Sequence, residues 1–248
     1  MSKKKVGIVG YGNMGSAIAE GIKGDYSVLV FDKDAGKTAP ARGMKTARSL
    51  EELLGGSDIV VLAIKPQELG EVLERAKDGF VGKLVVSIAA GIPTSLLEER
   101  LGGGCRVVRA MPNLPAKIGK GMVCFCAGKN AGEDDLTDSA GIFSFIGRVM
   151  RVDESMMDAV TAVSGSGPGY LYFLLEQARK KNGLPSLPGV SPRSCLPRRR
   201  AQVSARKKPR SWPPPPRRAV WLCWQVPGCP RKFYARRWPP REGLPKPG

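Results

Sequence analysis

Short apolar runs alternate with longer stretches of mixed polarity over residues 1–150. The apolar runs are rich in valine and isoleucine and predict strands at residues 5–9, 27–31, 59–64, 84–88 and 121–127. The stretches between them predict helices at residues 16–21, 49–54, 67–76 and 133–146, with one more that begins at Pro93. Strands and helices that alternate in this way are typical of the α/β class. We therefore predict a Rossmann-like, doubly wound parallel sheet up to about residue 150.

The pattern changes after residue 150. Residues 154–160 and 170–181 predict helices, and the second is so rich in apolar residues that a lone helix cannot bury them. From residue 186 onward, proline and arginine interrupt any regular periodicity. The chain therefore divides into a predicted α/β domain at 1–150, the start of an all-helical second domain at 151–185, and an irregular Pro/Arg-rich tail at 186–248 that we expect to be disordered. The motifs described below predict that the first domain binds a dinucleotide, and the family resemblance implies that the second is the truncated start of a substrate and dimerisation domain.

A glycine-rich turn joins the first predicted strand to the first predicted helix. It reads Gly-Tyr-Gly-Asn-Met-Gly from Gly10 to Gly15, which is the spacing G-x-G-x-x-G. In this pattern Gly10 permits the tight turn, Gly12 lets the backbone approach a diphosphate, and Gly15 lets the helix pack closely on the strand. The N-terminus of the helix then favours negative charge. The order of strand, turn and helix predicts a dinucleotide site, and the alternative is a tight turn in some other α/β unit.

Charged residues after the second and third predicted strands bear on the choice of cofactor. Asp32 lies about 20 residues beyond the glycines, where a carboxylate accepts hydrogen bonds from an adenosine ribose and repels a 2′-phosphate. Lys33 and Lys37 follow closely and are able to bind that phosphate. NAD and NADP therefore both stay open, with Asp32 favouring NAD. Lys65, after the third strand, either reaches the cofactor or is solvated.

The residue composition argues against several other classes of protein. The chain contains no His, which is the usual acid or base of alcohol dehydrogenases, and its six Cys lack the spacing of metal ligands. No run approaches the roughly 18 apolar residues of a membrane span, and the first residues do not resemble a signal peptide. We therefore expect no metal, no membrane association, reduced thiols and a cytoplasmic location.

Five segments resemble the motifs of one enzyme family. They lie between about residues 4 and 185 and read VGIVGYGNMGSAIAEG, VVLAIKPQ, SIAAGI, RAMPNLPA and DAVTAVSGSGPGYLY. In their order and spacing they resemble pyrroline-5-carboxylate reductase, the enzyme that makes proline. The resemblance implies an oxidoreductase that uses NADPH or NADH to reduce the C=N bond of a small cyclic imino acid.

The resemblance also implies where the site lies. The implied cofactor-binding residues follow the predicted strands and are Val9, Gly10, Tyr11, Gly12, Asn13, Met14, Gly15, Ala63, Ile64, Lys65, Pro66, Ile88, Ala89 and Ala90, with Met111, Pro112 and Asn113 near the nicotinamide. The charge pattern adds Asp32 and Lys33 to the predicted cofactor-binding residues. The implied catalytic segment is Ser164, Gly165, Ser166 and Gly167. Without the resemblance, a helix break before Pro168 is the preferred interpretation of that segment.

The sequence also departs from the family pattern. A Ser-Pro-Gly-Gly-Thr-Thr loop, which completes the family's substrate pocket from a helical dimerisation domain, does not occur in it. We therefore expect impaired activity and a compromised family-type homo-oligomer. Ser49 and Leu50 stand where the family often has an Asn that contacts the cofactor. Hydroxyacid dehydrogenases of the 3-hydroxyisobutyrate type share a similar opening, but the helix from Pro168 lacks their Lys, so they are a weaker match.

Most of the net positive charge lies in the tail. Residues 186–248 contain 16 basic residues, one acid and 14 prolines, whereas the whole chain has a net charge of +18. One hypothesis is an out-of-frame translation, because GC-rich coding sequence read in a shifted frame yields Arg, Pro, Gly and Trp. The rival hypothesis is a nucleic-acid-binding arm on a cofactor-binding domain, in which basic clusters contact phosphates and the four tryptophans stack on bases. A third is a polyproline ligand at residues 213–216.

The hypotheses on the tail predict different measurements. Sequencing the gene around the codon for Pro185 tests the first, since an intact reading frame with the same tail would end it. A nucleic-acid-binding arm predicts an affinity for RNA that falls steeply with added salt. A chain that lacks residues 186–248 and keeps all of its RNA affinity would count against the arm.

Overall fold

An eight-stranded sheet forms the centre of the fold in a computed structural model that describes residues 3–39, 41, 43–183 and 185. The strands are β1 (Lys5–Val9), β2 (Ser27–Phe31), β3 (Lys45–Thr46), β4 (Ile59–Leu62), β5 (Leu84–Ser87), β6 (Arg106–Met111), β7 (Gly121–Ala127) and β8 (Gly147–Arg151). The helices are α1 (Asn13–Ile22), α2 (Ala35–Thr38), α3 (Leu50–Gly55), α4 (Pro66–Arg75), α5 (Thr94–Leu101), α6 (Glu133–Ser144), α7 (Met157–Val160) and α8 (Gly167–Lys181). Short 3₁₀ segments lie at Lys77–Phe80, Leu114–Ile118 and Glu154–Met156, and a π-helical turn at Thr161–Gly165 joins α7 to α8.

The strand order is β3-β2-β1-β4-β5-β6-β7-β8. Neighbouring strands are parallel from β3 through β6, and β7 and β8 are parallel to each other. The predicted α/β class with a Rossmann-like sheet is confirmed. Because β1, β4, β5 and β6 are parallel neighbours, their C-terminal ends lie along one edge of the sheet.

One strand pair departs from the predicted all-parallel sheet. β6 and β7 are antiparallel, with Val108 opposite Ala127. Only residues 112–120 connect the two strands, and they contain a 3₁₀ turn in place of the crossover helix that a parallel pair requires. The chain therefore reverses its direction after β6, and α6 supplies the crossover that makes β7 and β8 parallel.

The sequence prediction missed three strands, β3, β6 and β8, of which β3 and β8 lie at the two edges of the sheet. β3 has only two residues, both exposed, and β8 mixes Arg148 and Arg151 with the partly buried Val149 at the edge of the sheet. Neither shows the apolar run that predicts a covered strand. The helix predicted to reach residue 146 ends at Ser144 because the chain turns there to enter β8.

Alternate residues of the central strands face opposite sides of the sheet and form two cores. Val61 and Val86 pack in one core with residues of α1 and α6, whereas Val60 and Val85 pack in the other with residues of α3, α4 and α5. Both faces are covered, which explains the continuous apolar runs of β4 and β5. Phe143 and Phe80 are fully buried, one in each core.

The described chain after β8 forms helices, in agreement with the predicted start of a helical domain. Pro168 occupies the first turn of α8, as the helix-break interpretation predicts. The apolar side chains Tyr170, Leu171 and Leu174 of α8 are exposed by 55, 57 and 63%. The sequence indicates that this helix requires a partner, and within the described residues its apolar face stays exposed. The predicted boundaries between the three regions stay a prediction.

The predicted tail and the three hypotheses about it concern residues 186–248, which lie outside the described residues. In the part of the chain that the structure describes, no helix combines the length and the apolarity that crossing a membrane requires.

Truncating a fully buried aromatic ring tests the assignment of the core. Phe143→Ala is expected to lower the free energy of unfolding by about 3–5 kcal/mol, because it leaves a cavity in the core that α1 and α6 share with the sheet. Phe145→Ala removes the same ring from a site that is 41% exposed and should cost about 1 kcal/mol or less. Urea denaturation of both variants measures the difference. Equal losses of stability would contradict the packing described above.

Candidate functional site

The glycine turn between β1 and α1 depends on close contacts of the backbone. Gly10 has a φ of 98°, a conformation that disfavours any side chain, and its N–H donates to the Phe31 carbonyl at 2.7 Å. A Cβ on Gly15 would lie 1.9 Å from the Gly10 carbonyl oxygen. The first turn of α1 therefore packs directly on the turn that precedes it. The roles that the sequence predicts for these two glycines agree with this geometry.

Gly12 differs from both of its neighbouring glycines. A Cβ built on Gly12 would meet no atom within 4 Å, so its outer side opens to free space. Gly12 is also the N-cap of α1, and it provides no side chain that could cover the N–H groups of the first turn. Those groups, with the helix dipole, favour an anion such as a diphosphate at this point.

Asp32 ties the end of β2 to the glycine turn. Its side chain is only 7% exposed, and its carboxylate accepts hydrogen bonds from the N–H groups of Tyr11 at 2.8 Å and Asp34 at 3.0 Å. Lys37 Nζ lies 3.2 Å from the same carboxylate. Burial acts to raise the pKa of Asp32, but the N–H groups of Asp34 and Tyr11 and the Lys37 ammonium outweigh it and lower that pKa. Asp32 is therefore an ionised anchor of the turn.

The two lysines after Asp32 are placed differently. Lys37 faces Asp32, whereas Lys33 pairs with Glu68 of α4 at 2.8 Å and has a side chain that is 70% exposed. The sequence treats these two lysines alike as candidates for a 2′-phosphate. In the structure the two lysines have different acidic partners, because Lys37 contacts Asp32 and Lys33 contacts Glu68.

A cleft of about 230 Å³ lies beside the glycine turn. Its walls include predicted residues from three strand ends and several residues that the sequence analysis missed. The predicted members are Val9, Gly10, Gly12, Asp32, Lys33, Ala63, Ile64 and Lys65. The missed members from α3 and α4 are Leu50, Glu68, Glu71, Val72 and Arg75. The spacing 68, 71, 72 and 75 follows one face of a helix, which is the signal that could have indicated them.

The predicted cofactor residues that follow β5 and β6 lie farther along the same sheet edge. Ile88 follows β5 and its N–H donates to the Leu62 carbonyl at 3.2 Å. Met111 is the last residue of β6, and the buried Asn113 follows it. Since β4, β5 and β6 are parallel neighbours, these positions share the edge at which Gly12 opens.

The Ser-Gly segment meets this edge at the end of β6. Ser164 and Gly165 end the π-helical turn, and a Cβ on Gly165 would lie 2.5 Å from Met111 Cε. Asn113 Nδ2 donates to Ser164 Oγ over a long hydrogen bond of 3.4 Å. The structure thus brings together two segments that are about 50 residues apart in the chain. Ser166 differs from Ser164, because its hydroxyl donates to the Thr161 carbonyl at 3.0 Å within the helix.

A polar network around the buried Arg109 joins the sheet to the helices that carry the Ser-Gly segment. Arg109 of β6, 5% exposed, donates to Asp158 of α7 at 3.2 Å and lies 3.5 Å from Glu154. The Glu154 carboxylate also accepts two hydrogen bonds from Thr94, one from the backbone N–H at 2.7 Å and one from the side-chain hydroxyl at 2.6 Å. The network therefore joins α5, β6 and α7. Sequence reasoning missed it, because the four side chains meet only in the folded chain.

The cysteines near this network have no visible chemical role. Burial, reinforced by the Glu154 carboxylate, raises the pKa of the Cys126 thiol to about 11. Cys105, Cys124 and Cys126 are free and buried. Within the described residues, no group of His, Cys, Asp and Glu side chains is arranged to hold a metal ion.

The chain has close relatives among known proteins. A family model described as NADP oxidoreductase coenzyme F420-dependent matches residues 5–91. Pyrroline-5-carboxylate reductase of Methanosarcina acetivorans is 39% identical over 188 residues, which are 71% of this chain and 68% of the relative. The reductase of Haemophilus influenzae is 38% identical over 190 residues, 73% of this chain and 69% of the relative. The chain belongs to the pyrroline-5-carboxylate reductase family. The resemblance based on the sequence motifs is therefore confirmed.

A solved member of the pyrroline-5-carboxylate reductase family shares the fold. The crystal structure of Plasmodium falciparum pyrroline carboxylate reductase with NADP bound aligns with a TM-score of 0.66 at 34% identity. The alignment covers 75% of this chain and 72% of that one. The segment matched by the family model, residues 5–91, contains β1 to β5 and so includes both the glycine turn and the cleft.

Alanine substitutions at two glycines of the turn are expected to have different effects. Gly15→Ala should destabilise the fold, since the added carbon would lie 1.9 Å from a backbone oxygen. Gly12→Ala should leave the stability unchanged but weaken binding of the reduced nicotinamide cofactor by about tenfold or more, because its methyl group occupies the approach to the helix N-terminus. Gly55→Ala, which also adds a methyl group into open space, is the matched control. Titration of cofactor fluorescence measures the affinity for the cofactor, and thermal unfolding measures the stability of each variant. Equal cofactor affinity in Gly12→Ala and Gly55→Ala would contradict the assignment of Gly12 to the diphosphate site.

The lowered pKa of Asp32 predicts a pH dependence of stability. Because its pKa in the folded state lies below that in the unfolded state, ionised Asp32 stabilises the fold above about pH 4. That contribution is lost as the pH falls through the folded-state value. The gap in the free energy of unfolding between wild type and Asp32→Asn should therefore narrow between about pH 6 and about pH 2. Urea denaturation across this range measures it, and a gap independent of pH would refute the anchoring role of the ionised carboxylate.

Proposed function

We propose that this chain reduces 1-pyrroline-5-carboxylate to proline with NADPH or NADH. The observation that carries the proposal is the meeting of the glycine turn and the Ser-Gly segment at one edge of the sheet, in a member of the pyrroline-5-carboxylate reductase family. Relatives of this chain carry the name of that activity, and one solved relative was determined with NADP bound.

The residues of the glycine turn fit a dinucleotide. The open space beyond Gly12, next to the tightly packed Gly10 and Gly15, supports this position for the diphosphate. The adenosine end would lie in the cleft beside Asp32 and Lys37. The small side chains of Ala89 and Ala90 after β5, and Met111 at the end of β6, would border the nicotinamide. When bound, the reduced nicotinamide supplies a hydride.

The residues of the chain then have the task of orienting the reactants. The hydride adds to the carbon of the C=N bond, the π electrons move to the ring nitrogen, and a proton taken from solvent makes that nitrogen the amine of proline. An imine nitrogen is basic enough to be protonated without a dedicated side chain, which agrees with a sequence that contains no His. Catalysis therefore depends on the distance and the angle between donor and acceptor carbons.

The Ser-Gly segment supplies the substrate side of the proposed site. Ser164 faces Asn113 at the end of β6, and Gly165 contacts Met111. Gly167, on which a Cβ would meet no atom within 4 Å, allows close approach of a ligand to the backbone. The Ser166 hydroxyl donates its proton to the Thr161 carbonyl. We therefore propose that Ser166 stabilises the shape of the turn and does not contact the substrate.

We further propose a cytoplasmic location and a weakened homo-oligomer. Free buried thiols at Cys105, Cys124 and Cys126 are typical of a reducing compartment. The apolar side chains of α8 that are exposed within the described residues form a surface that further helices would cover.

The proposed activity is tested by cofactor oxidation. Purified protein is expected to oxidise NADPH or NADH in the presence of 1-pyrroline-5-carboxylate and to produce one proline for each cofactor consumed. The turnover number should lie below that of the Methanosarcina acetivorans reductase measured in parallel, since the Ser-Pro-Gly-Gly-Thr-Thr string does not occur in this sequence. Gly12→Val is the inactive variant and Gly55→Ala the matched active one. Cofactor binding without any formation of proline would refute the proposed reaction.

A further inference from the structure

Asn113 is held in one orientation by the strand that follows it. Its side chain is buried, and its Oδ1 accepts a hydrogen bond from the Met122 N–H at 2.9 Å. A backbone N–H only donates, so the oxygen of the amide must face Met122. The NH₂ group is thereby directed towards Ser164 Oγ, 3.4 Å away.

This orientation decides what the Ser164 hydroxyl does. A hydroxyl that accepts a hydrogen bond from an amide keeps its own proton for another acceptor. Among the residues that the structure describes, no carbonyl or carboxylate receives the Ser164 proton, whereas Ser166 gives its proton to Thr161. Ser164 is therefore the serine of this segment that can donate to a ligand.

We propose that Asn113 is a positioning residue that makes Ser164 a hydrogen-bond donor to the carboxylate of the substrate. The inference rests on the proposed function and adds a determinant of specificity to it. A carboxylate accepts hydrogen bonds and never donates them, so only a serine polarised in this sense stabilises it. The pair therefore selects cyclic imines that carry a carboxylate over the same ring without one.

The isosteric variant Asn113→Asp reverses this polarity. One carboxylate oxygen keeps the hydrogen bond from Met122, while the other now accepts the Ser164 proton and adds negative charge beside the substrate. 1-Pyrroline, which lacks the carboxylate, is the reference substrate. In Asn113→Asp, the kcat/KM for 1-pyrroline-5-carboxylate should fall by about tenfold or more relative to the kcat/KM for 1-pyrroline. This loss should appear mainly as a higher KM for 1-pyrroline-5-carboxylate. Asn130→Asp introduces the same charge at an exposed position after β7 and should leave the ratio of the two substrates unchanged.

Ser164→Ala tests the same donor without changing Asn113. It should reduce the preference for the carboxylate to a similar extent, because it removes the hydroxyl that donates to it. Equal losses of kcat/KM on both substrates in Ser164→Ala would overturn the proposal. The single serine variant keeps the test valid if Asn113→Asp does not fold.

A binding measurement separates this inference from the proposed reaction. Calorimetric titration of cyclopentanecarboxylate into the full chain saturated with NADP should give binding that Asn113→Asp and Ser164→Ala both weaken by about tenfold, with no comparable change for Asn130→Asp. Weakened binding in a chain that forms no proline would support the carboxylate contact and refute only the reaction. No binding to wild type, or unchanged binding in Ser164→Ala, would overturn the inference.

Discussion

The contact between the glycine turn and the first turn of α1 is the constraint on which the proposed site depends. Gly15 lies so close to the carbonyl of Gly10 that no side chain fits between them. This contact sets the direction of α1 as it leaves the sheet and so places the N-terminus of the helix beside Gly12. The ionised Asp32 reinforces the arrangement from the neighbouring strand, through the N–H of Tyr11. The proposed anion-binding position is thus a consequence of backbone packing.

The reversal of the chain after β6 organises the other side of the site. A parallel β7 would begin at the opposite edge of the sheet, whereas the antiparallel β7 begins at the edge where β6 ends and brings the Met122 N–H to 2.9 Å from Asn113 Oδ1. The amide then acquires a fixed orientation, and a serine from a distant helix meets it. The ion pairs of the buried Arg109 with the partly exposed Glu154 and Asp158 link that helix to the sheet. This arrangement lies next to the place where Ser164 meets the sheet edge.

The two halves of the proposed site handle negative charge by different means. In the proposed site, the first half would offer backbone N–H groups and a helix dipole to a diphosphate, with Lys65 on the wall of the cleft. The second half would offer neutral groups, because the buried cation Arg109 already pairs with two carboxylates. In our proposal a hydroxyl of defined polarity then recognises the small carboxylate. The difference matches a large, highly charged cofactor and a small, singly charged substrate.

Local signals in the sequence determined the frame of this protein. Valine-rich runs defined β4 and β5, Ser49 and the following acids defined the start of α3, and the spacing of Gly10, Gly12 and Gly15 defined the turn. Each of these signals acts between residues that are near neighbours in the chain, so that a pattern in the sequence is sufficient to find them. The ordered motifs also identified the family, because several weak patterns in one order are far more specific than any single one.

Only the tertiary structure decided how the distant parts meet. The direction of β7, the network around Arg109 and the partner of Asn113 all depend on contacts between residues that are tens of positions apart. The strand β8 escaped prediction for a related reason, since an edge strand is covered on fewer sides and needs no apolar run. The direction of the hydrogen bond at Ser164 depends on Asn113, whose amide is oriented in turn by the Met122 N–H. No local pattern of residues encodes these two linked contacts.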